Sequence, residues 1–125
     1  MILDTNAVSA LFVGDPSLAA LLAPASRHHL PTVVIGEYRY GLVRSRERGR
    51  LAQLLEVLIS SSIVLPIDVA TTTHYAHVRE TLRRQGTPIP ENDVWIAALA
   101  RQHGIEVVSR DEHFDHAPEV IRRTW

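Results

Sequence analysis

The sequence predicts a three-layer α/β domain built on a mostly parallel central sheet. Three observations carry this. Short apolar, β-branched runs such as "SIVLPI" and "IEVVS" alternate with longer stretches of helical spacing. Capping residues and glycines punctuate the boundaries between them. The chain has 125 residues, 46% of them hydrophobic, which suits a single domain, residues 1–125, around one core.

Ile2-Leu3 reads as a very short buried strand. Asp4 to Asn6 then offers capping groups for a helix carrying Val8, Leu11 and Phe12. Gly14-Asp15-Pro16 is a turn that opens a second short helix, Ser17 to Leu22. Leu30 to Val34 reads as a strand, and Ile35 to Arg44 as a helix that Gly36 and Gly41 weaken. Leu51, Leu54, Leu55 and Leu58 mark an amphipathic helix. Ser62 to Ile67 is the next strand, with Pro66 near its end. Asp68 caps a long helix that runs to about Gln85 and stops at Gly86. After the extended connector Thr87-Pro88-Ile89-Pro90, Asn92 is expected to cap a helix holding Trp95, Ile96, Leu99 and Ala100, ended by Gly104. Ile105 to Ser109 is a final strand, followed by a polar loop through His116.

Composition excludes several chemistries. There is no cysteine, so disulfides, zinc-thiolate sites and thiol nucleophiles are absent, which fits a reducing, cytoplasmic setting. All thirteen Lys+Arg residues are arginine. Without lysine there is neither a Walker-type phosphate loop nor Schiff-base chemistry. No apolar run approaches the roughly 20 residues of a membrane span, and no basic segment precedes an apolar one at the N-terminus as in a secretory signal. The net charge of −1 does not by itself advertise a nucleic-acid partner.

The carboxylates say more. Asp4 follows the first strand and Asp111 follows the last, in "EVVSRD". Ligands of parallel sheets bind beyond the carboxyl ends of the strands, so both acids lie where a site is expected. Asp93 falls in the first turn of its helix, at the same edge, where the helix dipole favours it. Glu37, in "VVIGEYRYG", lies in the first turns of the helix after another strand. Each acid alone is ordinarily a cap or a solvated residue. Four from separate strand-to-helix junctions would repel one another unless a shared proton or a cation offsets the charge. Oxygen ligands of this kind suit Mg²⁺ or Mn²⁺.

With "ILDTN", "IGEYRYG", "NDVWIAALA" and "VVSRDEHF" in this order and spacing, the sequence resembles the PIN-domain nucleases, and among them the VapC-type toxins of bacterial toxin–antitoxin pairs. The resemblance covers nearly the whole chain. It implies a PIN-like α/β/α fold and a divalent-metal-dependent endoribonuclease. By the resemblance Asp4, Glu37, Asp93 and Asp111 are the catalytic, metal-binding acids, and Asn6 and Ser109 support them by hydrogen bonding. It also implies an RNA substrate, a cognate antitoxin and a two-fold homodimer. Serine stands at position 109 where the family often has threonine, and the hydroxyl is kept.

Other features have plainer readings. "RSRERGR" makes Arg44, Arg46, Arg48 and Arg50 either a solvated surface or a rim for phosphates, with Arg83, Arg84 and Arg110 as further cations. Tyr38 and Tyr40 either pack or stack on bases. The His74/His77 and His113/His116 pairs have i,i+3 spacing but no HExxH pattern and no clear third ligand, so they read as surface. Asp115 reads as solvated. Two other functions compete with the nuclease: a catalytically silent PIN-fold module that acts only through a protein partner, and a metal-independent ribonuclease that uses histidines as acid and base.

Overall fold

A computed structural model describes every residue from Met1 to Trp125. Five parallel strands form one sheet in the order β3-β2-β1-β4-β5. They are β1 (Ile2–Leu3), β2 (His29–Pro31), β3 (Ile63–Leu65), β4 (Val107–Val108) and β5 (Arg122–Arg123). Six helices complete the α/β/α layers: α1 (Thr5–Phe12), α2 (Pro16–Leu22), α3 (Thr32–Leu42), α4 (Arg48–Ser61), α5 (Val69–Gln85) and α6 (Glu91–His103). A short 3₁₀ turn spans Glu112–His116.

The sheet centre is also the core. Ile2, Leu3, Val107 and Val108 are wholly buried, as expected for strands covered on both faces. Against them lie Val8, Leu18, Val34, Val78, Ile96, Leu99 and Phe114. α6 is the most enclosed helix, with Val94 and Ile96 to Ala100 all buried. α5 covers it along Thr71, Val78 and Leu82, and Thr71 Oγ1 donates to Gln102 on α6 at 2.6 Å. The predicted stops hold: Asp68 and Thr71 form a reciprocal capping box, and Gly86 and Gly104 take the left-handed backbone conformation that ends α5 and α6.

Several boundaries differ from the sequence reading. The strand predicted over Leu30 to Val34 stops at Pro31, and Thr32 to Val34 open α3, which in turn ends at Leu42 rather than Arg44. Proline has no amide to continue a ladder and its extended backbone starts the helix, so the β-branched run is overridden by packing of Val34 into the core. α6 is capped by Pro90, not Asn92, whose side chain is used elsewhere. The polar loop after β4 contains the 3₁₀ turn, anchored by the buried Phe114. β5 was unforeseen because it consists of two arginines. It is held by backbone bonds to Val107 and Ser109 and by ion pairs of Arg122 with Asp115 and of Arg123 with Glu106.

Position follows from topology. From β1 the chain moves outward through β2 to β3, then crosses back to place β4 on the other side of β1. The gap between the carboxyl ends of β1 and β4 is therefore the switch point, where parallel sheets open a crevice.

Candidate active site

A cleft of about 540 Å³ opens at this switch point, lined by Asp4, Thr5, Asn6, Ser9, Glu37, Pro90, Asn92, Asp93 and Asp111. Apart from Pro90, every residue lining it is polar or charged. All four predicted acids share this cleft. Asp4 leaves the end of β1, Asp111 precedes the 3₁₀ turn beyond β4, and Asp93 stands in the first turn of α6. Glu37, on α3, is the most exposed of the four.

A hydrogen-bonded girdle aims Asp4. Its Oδ2 accepts from Ser109 Oγ at 2.7 Å and from Asn6 Nδ2 at 3.0 Å. Ser109 Oγ also accepts from Asn6 Nδ2 at 3.0 Å and from the Asp111 amide at 2.9 Å. Asn6 Oδ1 accepts from the Arg110 amide at 3.1 Å. Thus Asn6 and Ser109 join the loops after β1 and β4. A second pair of bonds aims Glu37, whose Oε2 accepts from Thr5 Oγ1 and from Asn92 Nδ2, each at 2.9 Å.

Asp93 is different. It is 5% exposed and accepts no hydrogen bond within the chain beyond its one close polar neighbour, the ring Nδ1 of His113, at 3.3 Å. The same Nδ1 lies 2.9 Å from Asp111 Oδ1. Asp93, Asp111 and His113 offer ligand atoms all within 4.8 Å of one another. Asp4 and Glu37 line the cleft but stand outside that triad.

The electrostatics follow from burial and crowding. Burial pushes the Asp4 carboxyl up from its ordinary pKa, Ser109 draws it back, and Glu37 and Asp111 add to the rise. Asp93 is pushed up to about 6, first by burial and then by Asp4 and Asp111, against the pull of His113. No arginine pairs with Asp4, Asp93 or Asp111. Three carboxylates with a single imidazole beside them, one of them buried and almost unpartnered, fit a hard divalent cation.

Several sequence candidates lie apart from the acids. Arg110 pairs with Asp15 at 3.0 Å and sits over the Trp125 ring, 4.4 Å from its centroid. Arg50 pairs with Glu47, and Arg83 and Arg84 with Glu80. Arg44, Arg46 and Arg48 are exposed around the α3–α4 connection. Tyr38 is buried edge-on against Phe12, whereas Tyr40 is exposed. Asp115 faces Arg122 rather than the cleft. His74 meets Arg101, not His77. The sequence reading missed Asn92 and His113. The second had a signal, because an Asp whose side chain accepts from the amide two residues on brings that residue back beside it, as Asp111 does with His113 at 3.0 Å.

A parallel sheet with order 3-2-1-4-5 and acids converging beyond β1, β4 and the start of α6 defines a class, and the PIN-domain family model matches residues 1–120. This chain belongs to the PIN-domain family, in its VapC branch. It is 33% identical over 97 residues to the tRNA(fMet)-specific endonuclease VapC of Shigella flexneri, a match covering 77% of this chain and 74% of that one. It is 29% identical over 126 residues to ribonuclease VapC2 of Haemophilus influenzae, covering 98% and 96% of the two chains. The crystal structure of DNA-bound VapBC from Salmonella typhimurium superimposes with a TM-score of 0.89 at 26% identity, over 99% of this chain and 96% of that one.

Proposed function

We propose that this protein is the toxin of a VapBC-type pair, an endoribonuclease that hydrolyses RNA phosphodiester bonds with Mg²⁺ or Mn²⁺. The observation that carries the reading is the convergence of Asp4, Asp93 and Asp111 at the switch point with no arginine to neutralise them. Its relatives are named as ribonucleases and tRNA endonucleases, which supports RNA as the substrate class.

Asp4, Asp93 and Asp111 would hold the cation. When bound, it supplies Lewis acidity toward a phosphoryl oxygen and lowers the pKa of a water. Ser109 and Asn6 keep Asp4 aimed, and the Ser109 bond offsets part of the rise that burial imposes on its pKa. Glu37 has Oε2 fixed by Thr5 and Asn92 and Oε1 free of hydrogen bonds, which supports a role for Oε1 either as a base taking a proton from the attacking water or as a ligand of the ion through water. With water as nucleophile, the ribose hydroxyl has no part in the attack, and the products are a 5′-phosphate and a 3′-hydroxyl. Arg44, Arg46 and Arg48 offer cations to the RNA backbone. An antitoxin would protect the cell by presenting an arginine or lysine to the acids, and the toxin would act as a two-fold dimer in the cytoplasm.

The test is a thermal melt with and without millimolar Mn²⁺, paired with analysis of the RNA ends. Mn²⁺ should raise the melting temperature of the wild type and not of Asp93→Asn, since ligand that binds only the folded state stabilises it. Cyclic phosphate ends formed in EDTA would instead select a histidine mechanism.

A further inference from the structure

The acidic cluster contains a nitrogen that the oxygen-only reading leaves unused. His113 lies two residues beyond Asp111, in the 3₁₀ turn that the buried Phe114 pins to the core. Its amide is fixed to Asp111 Oδ1 at 3.0 Å. Its ring reaches across to α6, so Nδ1 stands between carboxylates from two separate elements, 2.9 Å from Asp111 and 3.3 Å from Asp93. Asp93 is more than nine-tenths buried and faces the cleft, with Asp111 the nearest other acid of the triad.

Resting on the reading of the cluster as a divalent-cation site, we infer that His113 Nδ1 is a direct ligand of the ion together with Asp93 and Asp111. The spacing is that of neighbouring donors. Bonds of about 2.1 Å at right angles set adjacent ligand atoms about 3 Å apart. The two separations at Nδ1 bracket that value. Ligation uses the Nδ1 lone pair and leaves the ring proton on Nε2.

The rival physical role is an internal counter-ion. There the imidazole carries charge, pairs with the carboxylates and must be displaced when a cation arrives. The two roles give opposite signs. Removing a ligand weakens cation binding, whereas removing a competitor tightens it. Ion choice also follows. Imidazole suits the transition ions, while Mg²⁺ prefers oxygen and keeps its waters. His113 therefore biases the site toward Mn²⁺.

The experiment measures Mn²⁺ and Mg²⁺ affinity of the intact protein by calorimetry, for the wild type, His113→Ala, His113→Asn and Asp93→Asn. His113→Ala should weaken Mn²⁺ binding about tenfold or more, since even outer partners of ligands are worth that much. Mg²⁺ binding should change less. Asparagine puts a side-chain oxygen near the position of Nδ1, so His113→Asn should keep Mg²⁺ binding and lose the preference for Mn²⁺. Electron spin-echo spectra of the wild-type Mn²⁺ complex should show coupling to an imidazole nitrogen, shifted by ¹⁵N-histidine and absent from His113→Ala. Unchanged or tighter Mn²⁺ binding in His113→Ala, or a wild-type spectrum without nitrogen coupling, overturns the inference. If Asp93→Asn still abolishes binding in that case, the acidic site survives and only the histidine role falls. A wild type that binds neither ion overturns both.

Discussion

Asp93 concentrates the chemistry of the cleft in a single residue. Its ordinary pKa of 3.8 is pushed to about 6 in the folded protein, so the folded state holds this proton more tightly than the unfolded chain does. Between those two values, rising pH removes stability, and above the upper one the loss is complete, on the order of 3 kcal/mol. Asp4, raised mainly by burial as well, acts in the same direction. Carboxylates held low by arginines, such as Glu80 at about 2, act in more acidic solution and leave this window alone. Burial lowers the pKa of His28 and His29, which act in the opposite direction over the same window. The Asp93 contribution is therefore read by difference: going from pH 5 to pH 7.5, the metal-free wild type is expected to lose more resistance to urea, or gain less, than Asp93→Asn. An equal change in the variant would place the strain elsewhere. His113 and Ser109 show how differently two neighbours treat an acid. Ser109 is buried and donates to Asp4, drawing its raised pKa part of the way back, while His113 is half-exposed and faces two acids at once.

Among the elements, the 3₁₀ turn of Glu112–His116 is the smallest and the most consequential for the cleft. Phe114 is wholly buried beneath it, and Asp111 and His113 hang from the same turn. Phe114→Ala is expected to cost about 3–5 kcal/mol in urea unfolding, as for other large buried rings. Because the turn also positions two groups of the cluster, Mn²⁺ affinity should fall in folded Phe114→Ala at temperatures well below its melting point. Unaltered affinity would show that the turn is held by Asp111 alone. This turn also marks the limit of what the sequence displays. Asp4 and Asp111 were legible because each follows an apolar strand, and Asp93 because it opens a strongly apolar helix. The capping box at Asp68 and the left-handed Gly86 and Gly104 were equally plain, being local in origin. The α3 start was hidden because Thr32 to Val34 look like strand and only packing makes them helix. β5 was hidden because an edge strand of two arginines has no apolar pattern, its ion pairs being with residues far along the chain. His113 and Asn92 were hidden because their partners, Asp93 and Glu37, belong to other elements.

At the scale of the whole molecule, the charge of −1 hides an uneven surface. Acids crowd the cleft, while Arg44, Arg46 and Arg48 stand free around the α3–α4 connection. If these three meet RNA phosphates, replacing them all with alanine should lower the slope of log affinity against log salt by about 2, at roughly 0.7 per phosphate on a single strand. Binding titrations of an Asp93→Asn background at several salt concentrations would read this directly, and an unchanged slope would leave the run as plain surface. The girdle around Asp4 has a consequence in time rather than space. Its bonds join Asp4 to Ser109, 105 residues apart, and β1 gains its neighbour β4 only when that later segment is present. Pairing so distant in sequence forms late and slowly in folding, and during synthesis it cannot form at all until the distal segment has left the ribosome. The nascent chain therefore carries Asp4 long before the partners that complete its surroundings, and the cleft cannot assemble until the segment bearing Ser109 and Asp111 has left the ribosome.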